Sequence, residues 1–136
     1  MSEFNFNSQV CTDRFQSERL LALGLKKETA DCCYYYYDGE YLIAFAEDAK
    51  YESDIPAWSL HRLIEMMPRF VEWEGGAWLY MSHDDVLYTD LNYVTKDFSC
   101  ISEIYNNVIS AIEWLIKEGY FNKDYLQEQA GSSREG

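Results

Sequence analysis

The residues best suited to chemistry are four cysteines and two histidines. Cys11, Cys32, Cys33 and Cys100 show no C-x-x-C spacing, so neither a zinc-ribbon half-site nor a thioredoxin-type pair is written here. Cys32 and Cys33 are neighbours, and a bridge between adjacent residues strains the peptide that joins them. These thiols are expected to be small apolar core residues. A Cys–His nucleophile needs a thiolate beside an imidazole. Cys33 with His83 is the pairing on offer, and no spacing demands it, while His61 falls on the exposed side of a short helix. His83-Asp84-Asp85 offers one nitrogen and two carboxylates to a metal, but such sites draw a second histidine or a distant carboxylate. The same letters make an ordinary polar turn.

The carboxylates are no more specific. Glu47, Asp48, Glu52 and Asp54 lack the alternate spacing and central glycine of an EF-hand loop and read as solvated surface. Glu72 and Glu74 stand two apart on one strand face, where they act as acid and base only inside a cleft. The 7 glycines fall at turns, helix ends or the tail, and none builds a phosphate loop. No catalytic residue, metal or cofactor is therefore expected.

Aromatic residues are the remaining signal. The chain holds 12 tyrosines and 4 tryptophans. Four tyrosines run together at Tyr34, Tyr35, Tyr36 and Tyr37, and side chains on a strand alternate between faces. Two of them are expected on the core face and two on the other. Trp58, Trp73, Trp78 and Trp114 fit within a core of this size, yet Tyr, Trp and Met are also enriched at the centre of interfaces. The candidate protein-interaction patch is Tyr34 to Tyr37 together with the Trp73/Trp78 hairpin.

The elements that position these residues follow from caps, turns and period. Thr12 or Asp13 caps a first helix, which Gly24 closes, with Leu25 folding back on it. A short turn spans Lys27 to Asp31. Cys32–Tyr37 and Glu40–Ala46 form a hairpin around Asp38-Gly39. Residues 47–55 read as a loop that Pro56 stiffens. Ser59 caps a short helix carrying Leu60, Leu63, Ile64 and Met67, and Pro68 stops it. Strands are expected at Phe70–Glu74, Ala77–Ser82 and Val86–Tyr93, with turns at Gly75-Gly76 and at His83-Asp84-Asp85. Asp97 or Ser99 caps a last helix running to Glu118, with Ile101, Ile104, Tyr105, Val108, Ile112 and Leu115 on its stripe and Gly119 at its end. The fold expected is α+β: one domain, mainly an antiparallel sheet of about five strands, with two or three helices on one face. Its expected bounds are residues 12–122, preceded by a flexible segment 1–11 and followed by a polar, disordered tail 123–136.

Two segments carry a resemblance. They are Gln16-Ser17-x-Arg19-Leu20-Leu21-x-Leu23-Gly24-Leu25 with Glu28-Thr29-Ala30-Asp31, and Ile55-Pro56-Ala57-Trp58-Ser59-Leu60-x-x-Leu63-Ile64-x-Met66-Met67-Pro68. With the closing Trp114-Leu115-x-x-x-Gly119-Tyr120, the chain resembles a group of small uncharacterised proteins of Bacteroides-type gut bacteria and their prophages or other mobile elements. The resemblance implies genomic company and brings no catalytic residue with it.

Composition narrows the function classes. The 136 residues carry 11 Lys+Arg against 24 Asp+Glu, a net charge of −13. That balance opposes direct binding to nucleic acid or to anionic membranes, both of which reward Lys and Arg. No basic, apolar leader and no membrane-length apolar run is present, so the expected address is the cytoplasm. Three readings follow. The first is a non-enzymatic adaptor or regulatory domain that binds a basic protein partner through aromatics rimmed by carboxylates. The second is an acidic DNA mimic that inhibits a nucleic-acid enzyme. The third is a small enzyme using Cys33, His83 or a carboxylate pair. Exposed strand edges also leave a homodimer open.

Overall fold

Asp13 opens the first helix with a reciprocal cap. Its side chain accepts the Gln16 N–H at 2.8 Å, and Gln16 Oε1 accepts the Asp13 N–H at 3.0 Å. Helix α1 then spans Arg14–Ala22. Gly24, at φ +104°, ends it in a Schellman arrangement. The Gly24 N–H reaches Leu21 O and the Leu25 N–H reaches Leu20 O, which turns Leu25 into the core. The computed structural model describes residues 9–46, 55–83, 85–90, 95–99 and 103–128. The acidic segment 47–54, Asp84, Cys100 and Ile101 lie outside the described residues.

The tyrosine hairpin forms as its turn dictates. Strands β1 (Cys32–Tyr37) and β2 (Glu40–Phe45) pair antiparallel, with Tyr37 opposite Glu40. Asp38 and Gly39 both take positive φ, 51° and 87°, as a type I′ turn requires. The chain then adds a strand that Pro56 hides from sequence reading. Strand β3 (Ile55–Ala57) pairs with the other side of β1. Pro56 stands opposite Cys33, a position whose backbone groups in β1 point to β2. A residue without an N–H therefore costs that ladder nothing. The first sheet has the order β2-β1-β3.

Helix α2 spans Leu60–Met66 behind its Ser59 cap, and Pro68 follows. The second sheet is a meander of β4 (Phe70–Val71), β5 (Ala77–Met81), β6 (Val86–Thr89) and β7 (Thr95–Asp97), in that order. Helix α3 spans Ile104–Glu118 and ends at Gly119, φ +82°. It buries Val108, Ile109, Ala111, Ile112 and Leu115 and packs against β6, α1 and α2. Trp114 gathers the rings of Trp73, Tyr88, Phe98 and Tyr120 at centroid distances of 5.5–5.9 Å.

The α+β, antiparallel expectation holds, and its details change. The strands make two sheets, of three and four strands, rather than one of about five. β2 and β3 flank β1, and the later strands pair among themselves in the order β4-β5-β6-β7. Phe70–Glu74 is strand only to Val71. Glu72 already departs from extended geometry (φ −81°, ψ 11°), so Trp73 leaves the sheet into the 3₁₀ turn Trp73–Gly75, in which Glu74 takes φ +50°. Neither Asp97 nor Ser99 caps α3. Asp97 lies in β7 and accepts the Ser99 N–H, Ser99 Oγ accepts the Val86 N–H, and Glu103 caps the helix instead. Described contacts reach beyond 12–122 at both ends. Gln9 bonds Gln16, and Cys11 is buried. At the other end Lys26 N–H donates to Tyr125 O and Gln127 N–H to Gly24 O, while Leu126 pairs with Leu25. Residues 123–128 are thus tied to the α1 C-terminus, because Leu126 and Tyr125 supply apolar anchors in an otherwise polar stretch.

Candidate protein-interaction surface

Among the described residues, the thiols and imidazoles are not brought together. Cys33 lies in the first sheet with Sγ toward Phe45 O, whereas His83 sits in the β5–β6 turn of the second. His61 is on α2, exposed, with its ring 3.6 Å from Glu65. Among the described residues no group of three or more His, Cys, Asp or Glu is placed to hold a metal. Glu72 and Glu74 do not share a strand face, since Glu74 lies in the 3₁₀ turn. Cys11, Cys32 and Cys33 are buried, as small apolar residues would be.

Cys11 and Cys32 instead make a second small core with Ala57 and Tyr34. Burial pushes the Cys11 thiol up, and the Tyr34 hydroxyl pulls it part of the way back. Burial also pushes Cys32 up to about 12, with the negative charge of Asp31 adding to it. Neither thiol has the electropositive, open setting that makes a cysteine nucleophilic. Tyr34 Oη donates to Thr12 O at 2.9 Å and holds the N-terminal segment against β1.

The aromatic patch is redrawn. Alternation does place Tyr34 and Tyr36 on one face of β1 and Tyr35 and Tyr37 on the other. Exposure follows a different rule. Tyr34 and Tyr35 are half-buried, and Tyr36 and Tyr37 are exposed. Cys11 and Thr12 cover the start of β1, and no described element covers its end. Trp73 turns inward, its ring 5.9 Å from Trp114 and edge-on to it, so it leaves the patch. Trp78 stays outside, 56% exposed, with Phe70 at 4.9 Å and Tyr80 two residues on.

What replaces Trp73 is the face of β2. Tyr41 is opposite Tyr36, Ile43 is opposite Tyr34, and Phe45 is opposite Cys32. All share one sheet face, and Tyr36, Tyr41, Ile43 and Phe45 are all exposed, Phe45 to 68%. The Tyr36 and Tyr41 rings meet edge-to-face at 5.1 Å. The Arg14 guanidinium lies 4.5 Å over the Tyr41 ring, which binds the helix α1 start to this surface. Asp38 and Glu40 are exposed at the hairpin tip. The signal for this face lay in Tyr41, Ile43 and Phe45 at i, i+2 and i+4, once Asp38-Gly39 had fixed the register. A second exposed group, Phe70, Trp78 and Tyr80, belongs to the other sheet.

Among the described residues, no helix is long and apolar enough to cross a membrane. No family model, curated protein or solved structure matches the chain.

Proposed function

We propose that this protein is a non-enzymatic, protein-binding domain, and that it recognises its partner through the exposed hairpin face of Tyr36, Tyr41, Ile43 and Phe45. One observation carries the reading. Four large apolar side chains lie together on one sheet face in a chain of net charge −13, in which solvation is otherwise supplied freely. A contiguous apolar group of that kind on a small domain marks a contact surface. Tyr36 and Tyr41 are amphipathic anchors of the sort that concentrate binding energy. Asp38 and Glu40 at the tip, and the overall charge, favour a partner whose rim is basic. An adaptor or regulator encoded by a prophage or mobile element, the company that the sequence resemblance implies, acts in this manner on a host protein.

The test is a tagged pull-down from the organism that encodes the chain, at low and high salt, with a Tyr36→Ala/Tyr41→Ala variant as the second bait. The reading expects a stoichiometric partner that survives high salt and is lost from the variant. A partner held equally by both baits contradicts it. A nucleic-acid enzyme released by salt and by added DNA supports the acidic-mimic reading instead.

A further inference from the structure

The open edge of β2 carries a second inference. In the order β2-β1-β3, β2 is the outer strand, and no described residue pairs with its far side. The backbone groups that face that edge can be assigned. The Ala46 N–H donates to Asp31 O at 3.1 Å, so that pair is a hydrogen-bonded one. Antiparallel pairs alternate, which makes Cys33–Ala44, Tyr35–Leu42 and Tyr37–Glu40 hydrogen-bonded as well. A two-residue turn after Tyr37 demands the same. The N–H and C=O groups of Tyr41 and Ile43 and the N–H of Phe45 therefore point outward, while Phe45 O accepts from Cys33 Sγ at 3.8 Å.

We infer that a second copy of this chain docks along that edge, β2 antiparallel to β2 about a two-fold axis at Ile43. The pairing joins the two three-stranded sheets into one. It places Ile43 opposite Ile43 of the second copy, and Tyr41 opposite its Phe45. The central Ile43 pair exchanges both of its backbone hydrogen bonds, and each flanking pair adds the Phe45 N–H to Tyr41 O bond. Two aromatic cross-strand pairs and a β-branched pair form, which are favourable contacts on a sheet. The only charge on β2 is Glu40, and in this register it faces Ala46 rather than another carboxylate. Exposures of 42% at Tyr41, 47% at Ile43 and 68% at Phe45 offer roughly 300 Å² of side chain per copy. That is below the ~800 Å² per partner of a stable complex, so the dimer is a concentration-dependent one. Each copy also carries −13, and this repulsion opposes association until salt screens it.

Sedimentation velocity on the full chain tests the inference, from about 1 to about 300 µM and at about 50 and about 500 mM salt. The dimer fraction should rise with concentration and rise further with salt. Ile43→Lys should weaken it at least tenfold, with the fold checked by circular dichroism, and Trp78→Ala on the other sheet should leave it unchanged. Ile43→Cys tests the register and does not depend on the lysine variant folding. Oxidised with diamide, it should cross-link to itself faster than Leu42→Cys, against the unsubstituted chain as blank. A monomer at every concentration and salt overturns the inference. So does a dimer indifferent to Ile43→Lys, or an Ile43→Cys chain that cross-links no faster than Leu42→Cys. The two readings share Tyr41, Ile43 and Phe45 but are read separately: sedimentation and cross-linking report the backbone edge of β2, and the Tyr36→Ala/Tyr41→Ala pull-down reports the face of the hairpin.

Discussion

Tyr36 and Tyr41 face each other across the first hairpin with ring centroids 5.1 Å apart and planes at 68°. The pair is exposed, so its packing stabilises the hairpin only modestly, while its area is free for a partner. Tyr41→Ala also releases Arg14 from the ring it covers. The expected loss is about 0.5–1.5 kcal/mol, read by urea unfolding. A loss of more than about 3 kcal/mol would mean that the hairpin face belongs to the core.

Two tryptophans should respond in opposite ways. Trp114 packs against Trp73, Tyr88, Phe98 and Tyr120, and its removal leaves a hole among rings that cannot all collapse. Trp114→Ala should cost about 3–5 kcal/mol. Trp78 touches Phe70 and faces outward. Trp78→Ala should cost less than about 1.5 kcal/mol. Denaturant midpoints of the two variants, compared with the parent, check the ranking.

Asp31 ties the first sheet to α2. Its carboxylate accepts the Ser59 N–H at 2.8 Å and the Ser59 hydroxyl at 2.6 Å, and that hydroxyl accepts the Arg62 N–H in turn. Asp31→Ala strips the partner from a half-buried amide and loosens a helix cap. A loss of about 1–3 kcal/mol is expected, with amide exchange rising first in α2. Unchanged exchange there would show that the cap does not depend on Asp31.

Alkaline pH should weaken the fold. Burial pushes Cys32 up to about 12, and it also raises Cys11, Tyr34, Tyr88 and Tyr105. Between pH 9 and pH 12 the native chain keeps the Cys32 proton that the unfolded chain has released. The native state then binds more protons, so stability falls as pH rises through that window. Below pH 9 this contribution is fully present. Thermal melts from pH 8 upward should show a declining midpoint, and Cys11 and Cys32 should resist iodoacetamide at pH 8 until the chain unfolds. A midpoint that holds steady to pH 12 is the contrary result.

Local signals in the sequence were enough for the elements whose ends are chemically marked. Asp13, Gly24, Asp38-Gly39, Ser59 and Gly119 each satisfy backbone groups within a few residues, through a side-chain cap or a left-handed turn, so no distant contact is needed to read them. Strand β3 was hidden because a proline argues against a strand unless the partner register is known. The alternation of Phe70 to Glu74 fits a strand, but the backbone leaves extended geometry at Glu72 (φ −81°, ψ 11°), which carries Trp73 into the 3₁₀ turn. Residues 123–128 look polar in sequence because two anchors, Tyr125 and Leu126, count for little in that window, yet they meet Phe121 and Leu25 in space. The candidate surface is legible in part: the run of tyrosines marks the hairpin, but alternation alone does not predict that Tyr36 and Tyr37 are both exposed, and Tyr41, Ile43 and Phe45 need the register that joins them to Tyr36.

The most direct test of the central claim is the affinity of the captured partner, measured by titration calorimetry with the parent chain and with Tyr36→Ala/Tyr41→Ala. Two aromatic anchors at the centre of a contact are worth about 2 kcal/mol or more, so the variant should bind at least roughly 30-fold more weakly at unchanged fold. Equal affinity for the two chains would contradict the assignment of partner binding to the hairpin face.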